Sequence, residues 1–524
     1  MKTIKNAGLA IFLIGIVIFT FSIFFGSYNV STAQFEEYYA SRGFKSERFV
    51  ANMKSNVLDK DFNSSFAISK AIVSSLESAN GQHKANEEWD KVIWDKPHDL
   101  SFSLVKPGGS GPIAENKGMF FFLTFGFAII GGLMYILPNV ILLGAPGIKH
   151  NQIYQNAAEN RGWIAYITFT WLVGFYILLY FFPDLIVSWI YPVDPLSQLL
   201  SGNLASQWFL YGTMYTTVML VMGVRMYIKY RHNKYQLVRT TSVLFFQLAF
   251  AFTLPELLVR MNMPYMDFKN AWPLDYDFFF DWNLNNLVAS GGIGIFMLFW
   301  GVLLTLVAVP VFSYFYGKRW YCSWVCGCGG LAETLGDPYR QHSDKSLKAW
   351  KLERWLIHGV LVFAIVMTGG ALYTYFTGSS SLLGIQTYDL QKYYGFAIGS
   401  VFSGVIGTGF YPVFGNRVWC RFGCPLAAYM GLVQKFKSRF RITTNGGQCI
   451  SCGNCSTYCE QGIDVRWYAQ RGQNIVRSSC VGCGVCAAVC PRGVLKLENG
   501  PNTDGSRMEA PAIIIGNEGV KVEA

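Results

Sequence analysis

The chain has 524 residues, of which 52% are hydrophobic and only 14% are charged. That composition is too apolar for a soluble protein of this length and favours an integral membrane protein. All thirteen cysteines lie between Cys322 and Cys490, which argues against the disulfide framework of a secreted protein. The net charge of +11 resides mostly in loops beside apolar segments, so it indicates membrane orientation and not nucleic-acid binding.

Eight segments are apolar over the length that a membrane-spanning helix needs. They are residues 7–26, 119–144, 163–189, 208–228, 242–259, 291–316, 355–376 and 394–413. The first follows Lys2 and Lys5 as a secretory signal would, but no small-residue cleavage site follows it. We therefore expect residues 1–26 to form an N-terminal membrane anchor that is not cleaved.

Lysine and arginine counts in the short loops predict the orientation of the spans, because cytoplasmic loops are enriched in both residues. Loops 145–162, 229–241 and 317–354 are rich in basic residues. The short loops of the opposite side contain only Arg260, Lys269 and Lys392. This asymmetry predicts that both termini and every cysteine are cytoplasmic.

The remaining chain divides by composition. Residues 27–118 are predicted to form a small, partly helical extracytoplasmic domain without recognisable chemistry. Four further spans occupy 119–260, and the last three occupy 261–440. A ferredoxin-type domain is predicted at 441–498 and a flexible tail at 499–524, where Gly, Asn, Pro and Asp follow one another closely. The expected fold is therefore an α-helical polytopic membrane protein of about eight spans with a C-terminal α+β domain.

Two copies of the spacing C-x2-C-x2-C-x3-C carry the strongest chemical signal. Residues 449–459 read CISCGNCSTYC, and residues 480–491 read CVGCGVCAAVCP. In this arrangement the first three cysteines of a copy bind one [4Fe-4S] cluster, and the fourth binds the other cluster. The predicted ligand sets are listed by cluster: Cys449, Cys452, Cys455 and Cys490 for the first, and Cys480, Cys483, Cys486 and Cys459 for the second. Zinc knuckles do not need the third and fourth cysteines at these offsets, and the expected cytoplasmic location argues against disulfides.

Four more cysteines lie in two segments that resemble each other. Residues 317–327 read GKRWYCSWVCG, residues 415–425 read GNRVWCRFGCP, and each directly follows an apolar span. If each C-x3-C lies on one helical face, two helix ends could bring together Cys322, Cys326, Cys420 and Cys424. Three interpretations of this group remain: a third metal centre, a set of redox-active thiols, or inert cysteines at packing contacts. Cys328 has no counterpart in the second copy, and we assign it no role.

The doubled C-x3-C, the segment YCSWVCGCGGLAETLG at 321–336, the segment WCRFGCPL at 419–426 and the ferredoxin motifs together define a resemblance. Over residues 290–495 the chain resembles the membrane-bound polyferredoxins of the NosR, NapH and CcoG (FixG/RdxA) type. The resemblance implies an electron-transfer protein of the bacterial cytoplasmic membrane. NosR-like and NapH-like members imply electron supply to a respiratory reductase, and CcoG-like members imply oxidase assembly.

Other cofactors are not expected. The flavin-attachment motif of NosR-like proteins is absent from 27–118, which argues against FMN. Of the six histidines only His358 lies in a predicted span, where it is interpreted as an interfacial hydrogen-bonding residue, so haem is not expected. No dinucleotide fingerprint is present, which argues against NAD. A quinone site near Gln247 and Glu256 is a further hypothesis, with an ion pair between Glu256 and Arg260 as its rival.

Two functions follow. In the first, the chain passes electrons between the quinone pool or a soluble donor and a respiratory reductase or oxidase, and needs no bond-making active site. In the second, it is a maturation factor that reduces a metal or thiol of such an enzyme. The expected partners are membrane lipid and redox proteins such as flavodoxin or ferredoxin, with no nucleic acid. The basic residues Lys435, Lys437, Arg439 and Arg441 are expected to lie against anionic headgroups.

Overall fold

The computed structural model describes residues 1–142, 161–382 and 384–500, and the backbone of 512–516 and 519–523. Within it the chain forms two compact units. The first comprises Met1–Pro138 and Gly174–Thr217, and the second comprises Asn139–Val173 and Val218–Ala524. The predicted loop 145–162 lies outside the described residues up to position 160, so its Lys149 does as well.

Six helices in the described part of the chain are long and apolar enough to cross a membrane. They are Lys2–Phe24, Lys117–Leu142, Trp163–Phe181, Lys234–Arg260, Gly291–Tyr316 and Leu347–Thr377. The other two predicted spans are also helical, at Gln207–Lys229 and at Thr387–Tyr394 continued by Gly395–Ile406. Threonines and tyrosines make the former less apolar, and the latter begins with a polar turn. The membrane character is confirmed, whereas the count of eight spans stays a prediction.

Two predicted helix boundaries differ clearly from the structure. The third span ends at Phe181, because Pro183 follows, and not at residue 189. The fourth long apolar helix starts at Lys234, where the Asn233 side chain accepts a hydrogen bond from the Gln236 amide at 3.3 Å. Most of the predicted loop 229–241 is therefore helix. This helix accommodates Arg239 because that side chain is buried in an ion pair.

The first unit contains a helical core between its apolar helices. Short strands Ser27–Tyr28 and Gly109–Ser110 pair antiparallel and close the segment that precedes the second apolar helix. Between them lie the helices Thr32–Arg42, Glu47–Asn56, Ser65–Ala85 and Pro97–Val105. The helices Pro112–Glu115, Val187–Ile190 and Asp194–Leu200 belong to the same unit.

Residues from two separate stretches of the chain share the core of this first unit. Phe49, Ile68 and Leu76 pack with Val187 and Tyr191 in one buried cluster. The ammonium groups of two lysines also bind one buried carboxylate, with Lys106 at 2.9 Å and Lys117 at 2.8 Å from Asp194. The two stretches, predicted to lie on the same side of the membrane, therefore pack as one body.

In the second unit a small α+β domain follows the membrane helices. Strands Phe440–Thr444 and Leu495–Asn499 pair antiparallel, with Phe440 opposite Asn499. They enclose the short helices Asn454–Thr457, Val465–Gln470 and Val485–Ala488. The strands Ala512–Gly516 and Gly519–Glu523 also pair antiparallel. The other residues of the predicted tail beyond 500 lie outside the described part of the chain.

The rest of the second unit consists of helices around a buried cluster that contains four cysteines. Its shorter helices are Asp281–Ala289, Arg319–Cys322, Gly327–Thr334, Asp337–His342, Tyr411–Phe414, Trp419–Gly423 and Pro425–Lys437. The short strands Ser381–Leu382 and Ile385–Gln386 pair antiparallel. Ala364 and Met367 of the long helix Leu347–Thr377 pack directly against the cysteine cluster.

Candidate iron-sulfur sites

The first cavity of the α+β domain is lined by four cysteines from both ferredoxin motifs. Cys449, Cys452 and Cys455 come from the first motif and Cys490 from the second, around an open-sided cavity of about 360 Å³. The set is the one that the spacing predicts for the first cluster. Cys452 is exposed to solvent, so this cavity, hereafter the outer cavity, opens at the protein surface.

The second cavity is lined by the complementary set. Cys480, Cys483 and Cys486 come from the second motif and Cys459 from the first, around about 390 Å³. Cys480 and Cys486 are buried, and neither of the other two is exposed. We call this the inner cavity, because the backbone beside its cysteines lies against the membrane helices.

The two motifs adopt the same local conformation. Gly453 and Gly484 each precede a short helix with a φ of 79° and 75°, the left-handed region that glycine tolerates best. The fourth cysteine of each motif also accepts an amide hydrogen bond, from Ile463 to the sulfur of Cys459 at 3.4 Å and from Val494 to the sulfur of Cys490 at 3.3 Å. Such bonds to sulfur are one means by which proteins set cluster potentials.

The donor chemistry of both cavities fits an iron-sulfur cluster. Each presents four sulfurs, and no histidine lines either cavity. The lining of the outer cavity has no carboxylate, and the one carboxylate in the lining of the inner cavity, that of Glu460, is bound to Arg340 and Arg417. Burial raises the pKa of the Cys455 thiol to about 12 and that of the Cys480 thiol to about 11. Without a metal these thiols would hold their protons at neutral pH, whereas coordination to iron stabilises the thiolate.

The structure brings the third group of cysteines together in one buried cluster, but not on helix faces. Cys322 ends the helix Arg319–Cys322, and Cys326 is an extended residue that precedes the next helix. In the second copy Cys424 is likewise extended, before the helix Pro425–Lys437. Both copies close the turn with the same backbone bond, from Cys326 to Tyr321 at 2.8 Å and from Cys424 to Trp419 at 2.9 Å. The single-face expectation was wrong, because each pair straddles a break between helices.

Cys322, Cys326, Cys420 and Cys424 are all buried within one apolar cluster, hereafter the bundle site. Burial raises the pKa of Cys322 to about 12. The thiol of Cys328 hydrogen-bonds to the sulfur of Cys326 and lowers the pKa of Cys326 to about 6. The residue to which the sequence assigned no role therefore contacts a candidate ligand.

Two buried cations adjoin the bundle site. Arg417 places its guanidinium 3.6 Å from the Cys420 sulfur and donates to the Cys322 carbonyl at 3.2 Å. Lys318, 2% exposed, donates to the Ala427 carbonyl at 3.3 Å. Four thiolates around a metal centre carry excess negative charge, and buried cations offset it. The donor set and its surroundings fit a metal centre here as well.

Direct hydrogen bonds join the bundle site to the inner cavity. Ser323, the residue after Cys322, donates to the Val481 carbonyl at 2.7 Å. Gln434, on the helix that follows Cys424, donates to the Cys480 carbonyl at 2.8 Å. Each copy of the C-x3-C thus holds the backbone beside a cysteine of the inner cavity.

The helix Lys234–Arg260 also binds the backbone of the second cysteine motif. The hydroxyl of Tyr235 donates to the Gly482 carbonyl at 2.8 Å. Gln236 and Arg239 both donate to the Cys483 carbonyl, at 2.8 Å and 3.1 Å. All three donors come from the start of the apolar helix Lys234–Arg260, which fixes this loop at the end of that helix.

A buried network of five cations and three carboxylates surrounds this junction. Its ion pairs are Arg225–Asp337, Lys229–Asp337, Arg239–Glu333, Arg340–Glu333, Arg340–Asp337, Arg340–Glu460, Arg417–Glu333 and Arg417–Glu460. Burial alone would raise the pKa of Glu333, but the guanidinium groups of Arg239, Arg340 and Arg417 outweigh it and hold that pKa well below its usual range. Cations that the sequence suggested were orientation signals are therefore engaged in buried ion pairs.

The ligand atoms of Glu333, Glu460 and Cys483 lie within 4.8 Å of one another, a spacing that a metal ion could bridge. Both carboxylates already bind arginines of the buried network, at 2.8 Å for Arg340 with Glu460. Cys483 lines the inner cavity instead. We therefore read this group as part of the network and not as a separate metal site.

Of the residues proposed for a quinone site, Gln247 lies beside the bundle site. Gln247 is buried and donates to the Val325 carbonyl, between the two cysteines of the first C-x3-C. Glu256 and His358 are half-buried. Gln247 therefore supports the bundle site, and the quinone site stays a prediction.

The basic residues that were expected to lie against lipid headgroups are only partly exposed. Lys435 and Lys437 are exposed, whereas Arg439 donates a hydrogen bond to the Tyr314 hydroxyl at 3.3 Å.

Residues 267–271, predicted to lie in an outer loop, also approach the bundle site. Ala271 packs in the same buried cluster as the four cysteines, and the Tyr321 hydroxyl donates to Asn270 at 3.3 Å. Lys269 is buried and binds Asp267 at 2.5 Å. The sequence offered no signal for this approach, because single polar residues in a loop follow no period.

Comparison with known domain families identifies the chemistry of both regions. A 4Fe-4S binding domain matches residues 296–346 and 396–443, which hold the two C-x3-C copies, and a 4Fe-4S dicluster domain matches residues 441–491. With six membrane-compatible helices, the chain is a membrane protein that carries ferredoxin-type 4Fe-4S domains. No solved structure matches it significantly.

Three curated relatives share part of this region. A protein named as an electron transport protein, YccM of Escherichia coli, is 31% identical over 176 residues, which are 31% of this chain and 47% of YccM. Ferredoxin-type methylamine utilization proteins, both named MauN, are 28% identical over 165 residues in Paracoccus denitrificans and 25% over 179 in Methylobacillus flagellatus. Each match covers 30% of this chain and 54% of that MauN. The chain thus spans about half the length of these relatives.

Proposed function

We propose that this protein is a membrane-bound electron relay whose three four-cysteine sites each hold an iron-sulfur cluster. Bound clusters would supply one-electron transfer at the outer cavity, the inner cavity and the bundle site. The residues would bind the clusters, exclude water and set their potentials. Electrons would pass between the quinone pool or a soluble donor and a respiratory reductase or oxidase in the bacterial cytoplasmic membrane, with the ferredoxin-type domain on the cytoplasmic side.

The observation that carries this proposal is the continuity of the three sites. Hydrogen bonds from Ser323 and Gln434 join the bundle site to the inner cavity. The inner and outer cavities exchange their fourth cysteines, Cys459 and Cys490, so they share one small domain. Exposure also falls along the series, from the exposed Cys452 to the fully buried bundle site. This gradient supports a path from the surface into the membrane region.

The test is iron and acid-labile sulfide per chain on anaerobically purified protein, with EPR spectra of the reduced form. About twelve irons are expected if three [4Fe-4S] clusters are bound. Replacing Cys322, Cys326, Cys420 and Cys424 by serine is expected to lower the content to about eight and to remove one EPR component. Cys328→Ser is the matched control, because it removes a neighbouring thiol but no proposed ligand, and it is expected to keep about twelve irons.

Other outcomes decide against the relay. About eight irons in both the native protein and the fourfold serine variant would mean that the bundle site holds no cluster. That result would favour the second function, in which these thiols reduce a metal or thiol of a client enzyme. Absence of iron from all preparations would contradict both functions.

A further inference from the structure

The rim of the outer cavity combines exposed apolar and cationic side chains. Cys452 and Ile450 are exposed at the mouth, and Ile450 keeps 54% of its surface accessible. Arg466 and Arg492 line the same cavity, and both are exposed. We call these four residues and Trp467, which is 43% exposed on the adjoining helix, the outer rim.

Hydrogen bonds hold the outer rim in a defined conformation. Gln470, at the end of the helix Val465–Gln470, donates to the Ser451 hydroxyl at 2.6 Å and so ties this helix to the cysteine loop. Asp464 accepts from Ser456 at 2.6 Å, and the amide of Arg466 donates to the same hydroxyl at 2.8 Å. The guanidinium of Arg471 lies 4.1 Å from the centroid of the Trp467 ring. These contacts hold the backbone that carries the rim residues and position the Trp467 ring.

The charge at this surface has one sign. Within residues 449–500, the exposed charged side chains are Arg466, Arg471, Arg492 and Lys496, which are all positive. The acidic residues of that range are buried or half-buried, and two of them are engaged: Glu460 binds Arg340 at 2.8 Å, and Asp464 accepts from Ser456. The surface therefore attracts an anionic partner and repels a cationic one.

We infer that the outer rim is the docking surface for a small, acidic, one-electron carrier protein. This inference rests on the proposed function. An apolar centre of Ile450 and Trp467 with arginines beside it has the anatomy of a protein interface, in which apolar anchors are enclosed by a polar margin. One electron leaves the reduced carrier, which is oxidised, and enters the centre held at the outer cavity, which is reduced. No proton or other atom is transferred.

The experiment uses the full-length protein in nanodiscs of neutral lipid, with a reduced acidic plant-type ferredoxin as the probe. Stopped-flow absorbance gives the second-order rate constant for reduction as a function of salt. We expect that rate constant to fall with rising ionic strength, because salt screens exposed charges over about 8 Å at physiological strength. The double variant R466E/R492E is expected to lower it by about tenfold at low salt.

Two controls separate charge from fold. R466K/R492K keeps both charges and is expected to stay near the native rate. Arg42→Glu and Arg48→Glu together change the net charge equally, at partly or fully exposed positions of the first unit, and are expected to change the rate little. Dithionite reduction and iron content are measured for every variant, because a rim variant with full iron and normal dithionite reduction retains the proposed relay.

Three results would overturn the docking surface. The first is a ferredoxin rate that is independent of salt and of R466E/R492E while dithionite still reduces all clusters. The second is an equal loss with the control pair on the first unit. The third is a rate in anionic nanodiscs that no longer responds to the rim substitutions, since anionic lipid would then be the occupant of this rim. Loss of iron from the native protein would instead refute the relay itself.

Discussion

The outer and inner cavities are built from one motif used twice, yet their surroundings differ. Both have four cysteines, a left-handed glycine and an amide bond to the sulfur of the fourth cysteine. The outer cavity opens to solvent beside Arg466 and Arg492. The backbone of the inner cavity is held by Tyr235, Gln236, Arg239, Ser323 and Gln434. The spacing of the cysteines therefore determines which four sulfurs line each cavity, whereas residues distant in sequence determine whether that cavity opens to solvent or lies against the membrane helices.

The largest expected effect comes from removing one exchanged ligand at a time. Cys490→Ser is expected to lose about four irons from the outer cavity and to leave the other centres intact. Cys459→Ser is expected to lose about four irons from the inner cavity and, because that loop packs on the membrane helices, to lower the thermal stability of the whole protein. Iron analysis, EPR and thermal unfolding measure both.

An iron chelator distinguishes the two variants. In the native protein and in Cys459→Ser, one cluster is expected to be lost rapidly to the chelator, because the outer cavity is open. In Cys490→Ser that fast phase is expected to be absent. A fast phase that disappears in Cys459→Ser instead would mean that the cysteines are not exchanged between the motifs as described.

The next effect comes from the two equivalent glycines. The nearest neighbour of a Cβ at Gly453 would be the Arg466 guanidinium at 3.9 Å, whereas a Cβ at Gly484 would lie 2.8 Å from the Tyr235 ring. Gly453→Ala is expected to cost about 1 kcal/mol, because of the left-handed backbone alone. Gly484→Ala adds overpacking of about 1–3 kcal/mol. Thermal loss of cluster absorbance measures the difference, and equal losses would contradict the asymmetry between the cavities.

A smaller effect is expected on reduction potentials. Arg239 is buried and donates to the Cys483 carbonyl, while Arg466 is exposed at the outer rim. Arg239→Met is expected to lower the potential of the inner centre by about 60 mV, because a buried cation stabilises the reduced state. Arg466→Met is expected to shift the outer centre far less, since water screens an exposed charge. EPR-monitored redox titration gives both values, and similar shifts would contradict the assigned difference in burial.

The smallest effect concerns single hydrogen bonds. Tyr235→Phe removes the donor to the Gly482 carbonyl in the inner cavity, at an expected cost of about 1 kcal/mol. Gln470→Ala removes the donor to Ser451 beside the outer cavity, where water can replace it, and is expected to cost only a few tenths of 1 kcal/mol. Differential scanning fluorimetry compares them. A larger loss of thermal stability for Gln470→Ala than for Tyr235→Phe would contradict the claim that the inner cavity is held more firmly than the outer one.

Local patterns in the sequence predicted the chemistry of this protein and most of its helices. The cysteine offsets were sufficient to predict which four sulfurs line each cavity, because the loop that carries them is short and its geometry is local. The repeat of C-x3-C suggested that four distant cysteines could meet if two helix ends came together, and the structure places all four in one buried cluster. The expected conformation of each pair, with both cysteines on one helical face, was wrong, because the breaks at Cys326 and Cys424 depend on how the flanking helices pack.

The buried network was beyond sequence reasoning for a different reason. Arg417 and Glu333 are 84 residues apart, and Arg340 and Glu460 are 120 residues apart. Pairs so distant leave no period or motif, and lone basic residues near apolar segments have the same composition as orientation signals. The start of one helix was also misplaced. This helix begins at Lys234, earlier than composition predicts, because Arg239 lies within it and is paired with Glu333.

Glu460 has a consequence for biogenesis. It belongs to the ferredoxin-type domain, yet its carboxylate binds Arg340 and Arg417, which precede that domain in the chain. Until the domain closes, both arginines lack one of their counter-charges at a site shielded from water. We therefore expect the membrane part to reach its final packing only when the ferredoxin-type domain closes against it. A chain in which this domain fails to close would keep only the pairs of these arginines with Glu333 and Asp337, and we expect it to be a better substrate for the proteases that remove unfinished proteins.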